Sequence, residues 1–275
     1  MLHTKEVREA AIAEGREPPA ISATRNSLLQ VPLSAYQQFA PKVEAGYIAA
    51  AKFLHSLKIF KARDLPYQTQ LVPLAAILAE LGNTWENDAV LQKLAQWYWC
   101  GVLGELYGSA AYKGVHALLM KCGAEDFKSG QPYDQAVLFD ENVDIHHIFP
   151  QAWCKSVGIG PEIYNSIVNK TPIASGTNRM LGGVAPSSYL GRLTKGNDSN
   201  PPIAPDRLTA ILESHEIEES YLLADDFDGF MDDRRRRLLA LIENAMGKEA
   251  LREAEVPSDH EEEDYYAEEE QEAAE

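Results

Sequence analysis

Residues 143–190 read VDIHHIFPQAWCKSVGIGPEIYNSIVNKTPIASGTNRMLGGVAPSSYL, and no other stretch constrains this chain as tightly. His146 and His147 stand in tandem before Ile148, Phe149 and Pro150. Asn169 follows His147 by 22 residues, and Asn178 follows Asn169 by nine. Side chains that hold a metal or accept a proton thus recur inside apolar surroundings. The pattern predicts a small hairpin followed by a helix. Its strands are expected over 143–149 and 166–173, with a short helix over 151–158 in the connection and a further helix over 176–183. Pro150 cannot donate to a strand ladder and marks the end of the first strand. On a regular strand, side chains alternate, so Asp144 and His146 share one face and His147 points the other way. Both histidines can serve one site only where the strand ends or twists.

The segment resembles an HNH (His-Me finger, ββα-metal) nuclease motif. The strings DIHHIFP, YNSIVNKTPI, TNRMLGG and APSSYL resemble more closely the C-terminal nuclease domain of GmrSD-type restriction enzymes. The likeness extends weakly to the helical stretch before it and to residues 208–247 after it. Carried over by position, it implies that His147 is the general base, Asn169 a brace, and His146 and Asn178 ligands to one divalent metal ion. Asp144 is a further metal ligand, or an acceptor that orients His146. Lys170 and Arg179, beside the two asparagines, are the candidate DNA phosphate contacts. The nucleotide-hydrolysing N-terminal domain usual in those enzymes is expected to have no counterpart here.

The residue types suit phosphodiester hydrolysis. An imidazole titrates near neutral pH and can take a proton from water. A divalent cation can polarise the phosphate and stabilise the leaving 3′ oxygen. One nitrogen and one amide oxygen leave most of a six-coordinate shell to water and phosphate, which suits Mg²⁺ first, with Mn²⁺ or Ni²⁺ as alternatives. Each residue also has a plain reading. A single histidine is more often structural or on the surface. Asn178 fits the first turn of a helix and Asn169 a loop. The joint spacing favours the nuclease reading, and an inactive copy of the same fold would keep it.

The net charge of −17 looks hostile to a DNA partner, but its distribution is not. Residues 253–275 hold twelve Asp and Glu and no Lys or Arg, which leaves −5 for the other 252 residues. Residues 143–195 carry +3 from Lys155, Lys170, Arg179, Arg192 and Lys195 against Asp144 and Glu162. That is local but modest positive charge, so a partner protein, or self-association through the helical region, is expected to supply much of the affinity. There is no apolar run of membrane-spanning length and no signal-peptide core, so a cytoplasmic protein is expected. Cys100, Cys122 and Cys154 form no Cys-x-x-Cys pair and read as core or half-buried thiols.

Breakers and periodicity, together with the resemblance, give four regions: a flexible arm over 1–30, a helical domain over 31–130, an HNH domain with closing helices over 131–250 that the resemblance implies, and a disordered acidic tail over 251–275. Within the second, Pro73 marks a helix start or kink and Gly82 a stop. Trp97, Trp99 and Leu103 read as packing residues. Residues 122–140 read as a linker and 195–205 as a loop. Arg234, Arg235, Arg236 and Arg237 form a basic run whose side chains point around the whole helix. A solvated face with salt bridges to Asp232 and Asp233 is the reading preferred over a DNA grip. The fold class is therefore mainly α with a small ββα-metal module. The function expected is a divalent-metal-dependent DNA endonuclease in restriction or anti-phage defence. Its alternatives are an inactive nucleic-acid-binding or assembly subunit, and an RNA-directed nuclease, since the motif does not read the sugar.

Overall fold

In the computed structural model, which describes residues 1–21, 24–104, 111–133, 143–197 and 201–250, helix begins almost at once. Helix α1 (Leu2–Ala13) buries Leu2 and Ala11, and α2 (Arg25–Leu29) is capped by Thr24, whose side chain accepts the Ser27 N–H. Residues 1–30 thus hold two helices, one of them with buried side chains. The alanine-rich stretch forms α3 (Leu33–Ser56), which packs along α4 (Leu71–Leu81). Gly46 sets how close they come, because a Cβ there would overlap the carbonyl of Ala75. Pro73 sits in the first turn of α4. Gly82, at φ 53°, ends that helix in a conformation glycine adopts without strain. Helix α5 (Asp88–Leu103) starts at Asn87, whose side chain accepts the Ala89 N–H, and α6 (Ala111–Lys121) packs against it. Phe53, Leu74, Leu78, Tyr98, Trp99 and Val102 form the buried centre of this helical part. Trp97 and Leu103 lie at its edge, so the aromatics of α5 are packing residues.

The sheet is one antiparallel pair, β1 (Val143–His147) with β2 (Lys170–Ala174). Ile145 lies opposite Pro172, and His147 opposite Lys170. The connection holds α7 (Gln151–Ser156) and α8 (Pro161–Tyr164). After β2 come α9 (Ser175–Leu181), α10 (Pro186–Lys195), α11 (Pro205–Glu213), α12 (Glu219–Leu223) and α13 (Phe227–Met246). The fold is mainly helical with this one small sheet among the described residues. No helix among them is long and apolar enough to cross a membrane. The acidic tail over 251–275 lies outside the described residues, as do residues 134–142 of the linker.

Helix α13 joins the parts. Its first turns place Phe227, Phe230 and Met231 in a second core with Ile148, Phe149 and Tyr189. Leu238 packs with Val115 and Leu119 of α6, and Met246 reaches the core of the helical part. Twenty residues at about 1.5 Å each give a strut of about 30 Å. Helix α13, within residues 131–250, therefore contributes side chains to both cores.

The basic run needs a correction. Arg235 pairs with Asp232, Arg236 with Asp233, and Arg237 with Asp233 and Glu218, all on the solvent side. Arg234 is fully buried instead. Successive helical residues step by about 100°, so one of four consecutive arginines must turn toward the core. The thiols also differ from expectation: Cys154 is buried and Cys100 half-buried, but Cys122 is exposed.

Candidate active site

The two histidines leave β1 on opposite faces, as strand alternation requires. His146 is buried between the rings of Phe127 and Tyr189. Its Nδ1 lies 2.9 Å from Asn178 Oδ1, and Asn178 Nδ2 donates to Asp144 Oδ2 at 3.3 Å. A carboxylate only accepts, so Asn178 turns its Nδ2 to Asp144 and its Oδ1 to His146. Nδ1 of His146 is then the donor and Nε2 carries the lone pair. That Nε2 is buried and has no hydrogen-bond partner. Burial pushes the His146 pKa down to about 4, against the opposing effect of the Asn178 bond, so the ring is neutral at pH 7. Asp144 is not an acceptor for His146, because its contact is with Asn178.

These three side chains suit a divalent ion. Two ligands at about 2.1 Å on adjacent corners of an octahedral ion stand about 3 Å apart. The Nδ1 and Oδ1 atoms are separated by 2.9 Å. His146 through Nδ1 and Asn178 through Oδ1 would hold such an ion in place of the Nδ1 proton, and Asp144, bonded to the Asn178 amide, would bring negative charge to the group. Among the described residues no cluster of three or more His, Cys, Asp or Glu gathers at one place, so the amide of Asn178 is needed to complete the set.

His147, half-buried, is the last residue of β1 and packs on Tyr164. Its Nε2 stands 3.0 Å from Asn165 Oδ1 and 3.4 Å from Gln151 Nε2. An Nε2–H donated to Asn165 leaves Nδ1 as the proton acceptor. Burial lowers the His147 pKa, the Asn165 bond raises it, and the charge of Lys170 lowers it again; the net shift is downward. A lowered pKa keeps the imidazole neutral, the form that accepts a proton. His147 shares no hydrogen bond with the Asp144, His146 and Asn178 group.

Asn169 is fully buried and holds the turn after His147. Its Oδ1 accepts the Phe149 N–H at 2.8 Å, and its Nδ2 donates to the carbonyls of Phe149 and Tyr164, each at 3.0 Å. Lys170, opposite His147, is partly buried, and Arg179 is exposed on α9 just past Asn178.

Three contributors escape a reading of the motif alone. Asn165 is the partner of the His147 ring. Asp126, in the stretch expected to be a linker, is buried at the junction of β2 and α9. One oxygen accepts the Ala174 N–H at 3.0 Å, and the other accepts the Thr177 hydroxyl at 2.8 Å and the Ser129 N–H at 2.9 Å. It thereby sets the start of the helix that carries Asn178. Arg234 donates to the carbonyls of Val168 and Lys170, on either side of Asn169, and to that of His215. Burial pushes its pKa down to about 9, still above neutral, so it remains a cation held by carbonyl dipoles. Only the Asp126-x-x-Ser129 turn leaves a local sequence signal, because the other contacts join residues far apart in the chain.

No model of a known protein family matches this sequence, and no solved structure matches it. An uncharacterized protein of Methanocaldococcus jannaschii is 32% identical over 115 residues, which is 41% of this chain and 19% of the relative. The chain thus spans about a fifth of that relative's length.

Proposed function

We propose that the chain is a divalent-metal-dependent HNH endonuclease acting on DNA in a defence setting in the cytoplasm. The observation that carries this reading is the hydrogen-bonded group of Asp144, His146 and Asn178 across a hairpin–helix junction, with His147 at the end of the same strand. Neutral His147 removes a proton from water as its oxygen attacks phosphorus, and the P–O bond to the 3′ oxygen breaks. Asn165 orients the ring, and Asn169 holds the turn that follows it. His146, Asn178 and Asp144 would hold the ion, whose chemistry is neutralisation of phosphate charge and of the leaving oxygen. Lys170 and Arg179 bring positive charge to the phosphates. A plasmid-nicking assay across Mg²⁺, Mn²⁺, Ni²⁺ and EDTA tests this. Cleavage in metal and none in EDTA is expected, and equal rates in both would remove the metal from the reading.

A second reading, an inactive nucleic-acid-binding or assembly subunit, draws on the burial of His146, which is only 3% exposed. The two readings separate in a metal titration. His146→Ala and Asn178→Ala are expected to raise the metal concentration for half activity by at least tenfold, with DNA binding unchanged. Unchanged midpoints would point away from both as ligands. Asn169→Ala is expected to leave the midpoint alone but to lower activity and cost about 2–4 kcal/mol of stability. It strips partners from three buried backbone groups.

A partner protein or a second copy is part of the proposal. It is supported by the exposed apolar side chains of Leu28, Leu29, Leu33 and Tyr36 on α2 and α3. The acidic tail acts against DNA binding. Deleting residues 253–275 removes twelve negative charges and is expected to tighten DNA binding most at low salt, where screening is least. Binding isotherms at two salt concentrations check this, and superimposed low-salt curves would assign the tail another role.

A further inference from the structure

The sheet face that carries His147 runs on into a basic cleft. Side chains alternate along β1, so Ile145 shares the face of His147. Ile145 is 41% exposed and lies in the floor of a cleft of about 210 Å³. Lys58 and Lys61, beyond the end of α3, Arg63, and Lys113 and His116 of α6 line its walls. Among the described residues lining it, Asp64 is the one carboxylate, and it pairs with Arg63 at 3.8 Å.

Two details mark the cleft as more than a gap between elements. His116 is only 4% exposed, and its Nε2 is buried with no hydrogen-bond partner. A buried polar atom left unpaired is costly, and a ligand oxygen accepting from an Nε2–H would recover that cost. Lys58 adopts φ 64° where α3 stops, in a closing turn made by the Lys58 N–H to His55 carbonyl and Ile59 N–H to Leu54 carbonyl bonds. Glycine is the usual residue at such a position, and a side chain there is strained. The chain keeps a cation at that point in spite of the strain.

The cleft and His147 share one face of the hairpin: Ile145 and its register partner Pro172 line the cleft, and Lys170 stands opposite His147. Alternate strand residues lie about 6.8 Å apart, close to the through-space separation of neighbouring phosphates along one nucleic-acid strand. We propose that the cleft walled by Lys58, Lys113 and His116 binds the backbone phosphate of the substrate strand next to the one that faces His147. This rests on the reading of His147 as the base that faces the scissile phosphate. It assigns the helical part a share in holding nucleic acid.

The test uses the full chain with His147→Ala, so that the oligonucleotide stays intact, and reads fluorescence anisotropy of a labelled single strand. Lys58→Gly removes the cation while relieving the strain. Paired with Lys113→Gln, which also gives up the bond from Lys113 Nζ to the Arg63 carbonyl, it is expected to hold the unfolding midpoint within a few degrees and to weaken binding on the order of tenfold at low salt. The salt slope should fall by about 0.7 for each phosphate ion pair removed. Lys248→Glu, on an exposed lysine elsewhere, is the charge control. Equal binding by the paired variant and its parent, with the control equal too, overturns the proposal even if His147-dependent cleavage stands. Binding that depends on Lys58 and Lys113 in a chain that never cleaves DNA supports the cleft and sinks the nuclease reading. A third arm titrates inorganic phosphate alone and follows the His116 imidazole by ¹⁵N NMR. A His116 response to phosphate, with strand binding indifferent to both lysines, would assign the cleft to a free anion and overturn the strand path.

Discussion

His147→Ala is expected to lower phosphodiester cleavage by about 10²–10⁴-fold while the thermal midpoint moves by only a few degrees. The activity loss follows from chemistry. Without an acceptor at the end of β1, the attacking water keeps its proton until solvent takes it. The small stability change follows from geometry. His147 is half-buried, and its ring touches Tyr164, Asn165 and Gln151 without closing a core contact. Asn165→Ala should give a smaller loss, because it frees the ring to adopt the other tautomer but leaves the imidazole in place. Paired cleavage and unfolding measurements check both. Cleavage by His147→Ala within twofold of the parent would take the residue out of the mechanism.

A fall from pH 7 to pH 5 is expected to destabilise the fold by about 4 kcal/mol, even with the candidate site left aside. The groups responsible are His116 and His215. Burial pushes His116 down to about 3, with the charges of Arg234 and Lys170 adding to the effect. Burial pushes His215 down to about 4, against its bond to the Glu125 carbonyl. Both pKa values are depressed in the fold and near 6.5 in the unfolded chain. Between those limits the unfolded chain binds more protons, so stability falls as pH drops. The contribution is whole above about 6.5 and is lost as pH approaches 4 for His215 and 3 for His116. At pH 5 each is about 1.5 units below its unfolded pKa, or about 2 kcal/mol. Domains of this size hold only about 5–15 kcal/mol in all, so the midpoint should drop by roughly 10 °C. His215→Gln should flatten the pH dependence while lowering stability throughout, because His215 ties Thr171 of β2 to the Glu125 carbonyl. A midpoint that stays level from pH 7 to pH 5 would mean that these rings are hydrated in solution.

Local physics, read along the chain, places the hairpin and the main helices, though not the two helices of residues 1–30. Period and punctuation set the helices: Gly82 stops α4, Pro73 sits in its first turn, and Pro150 follows the end of β1. Alternation along Val143–His147 puts Asp144 and His146 on one face and His147 on the other. The proposed ligand types, an imidazole and an amide, are legible in the same way. The partner that each of these residues meets is a matter of packing in three dimensions. Asp144 turns to Asn178, and His147 to Asn165. Arg234, one of four arginines with the same local surroundings, goes inward to clamp the carbonyls beside Asn169. Asp126 stands 51 residues before Thr177, and Arg234 stands 64 residues after Lys170. No local periodicity encodes contacts at such separations. They form because a buried charge or amide must find its acceptors wherever the packed chain brings them.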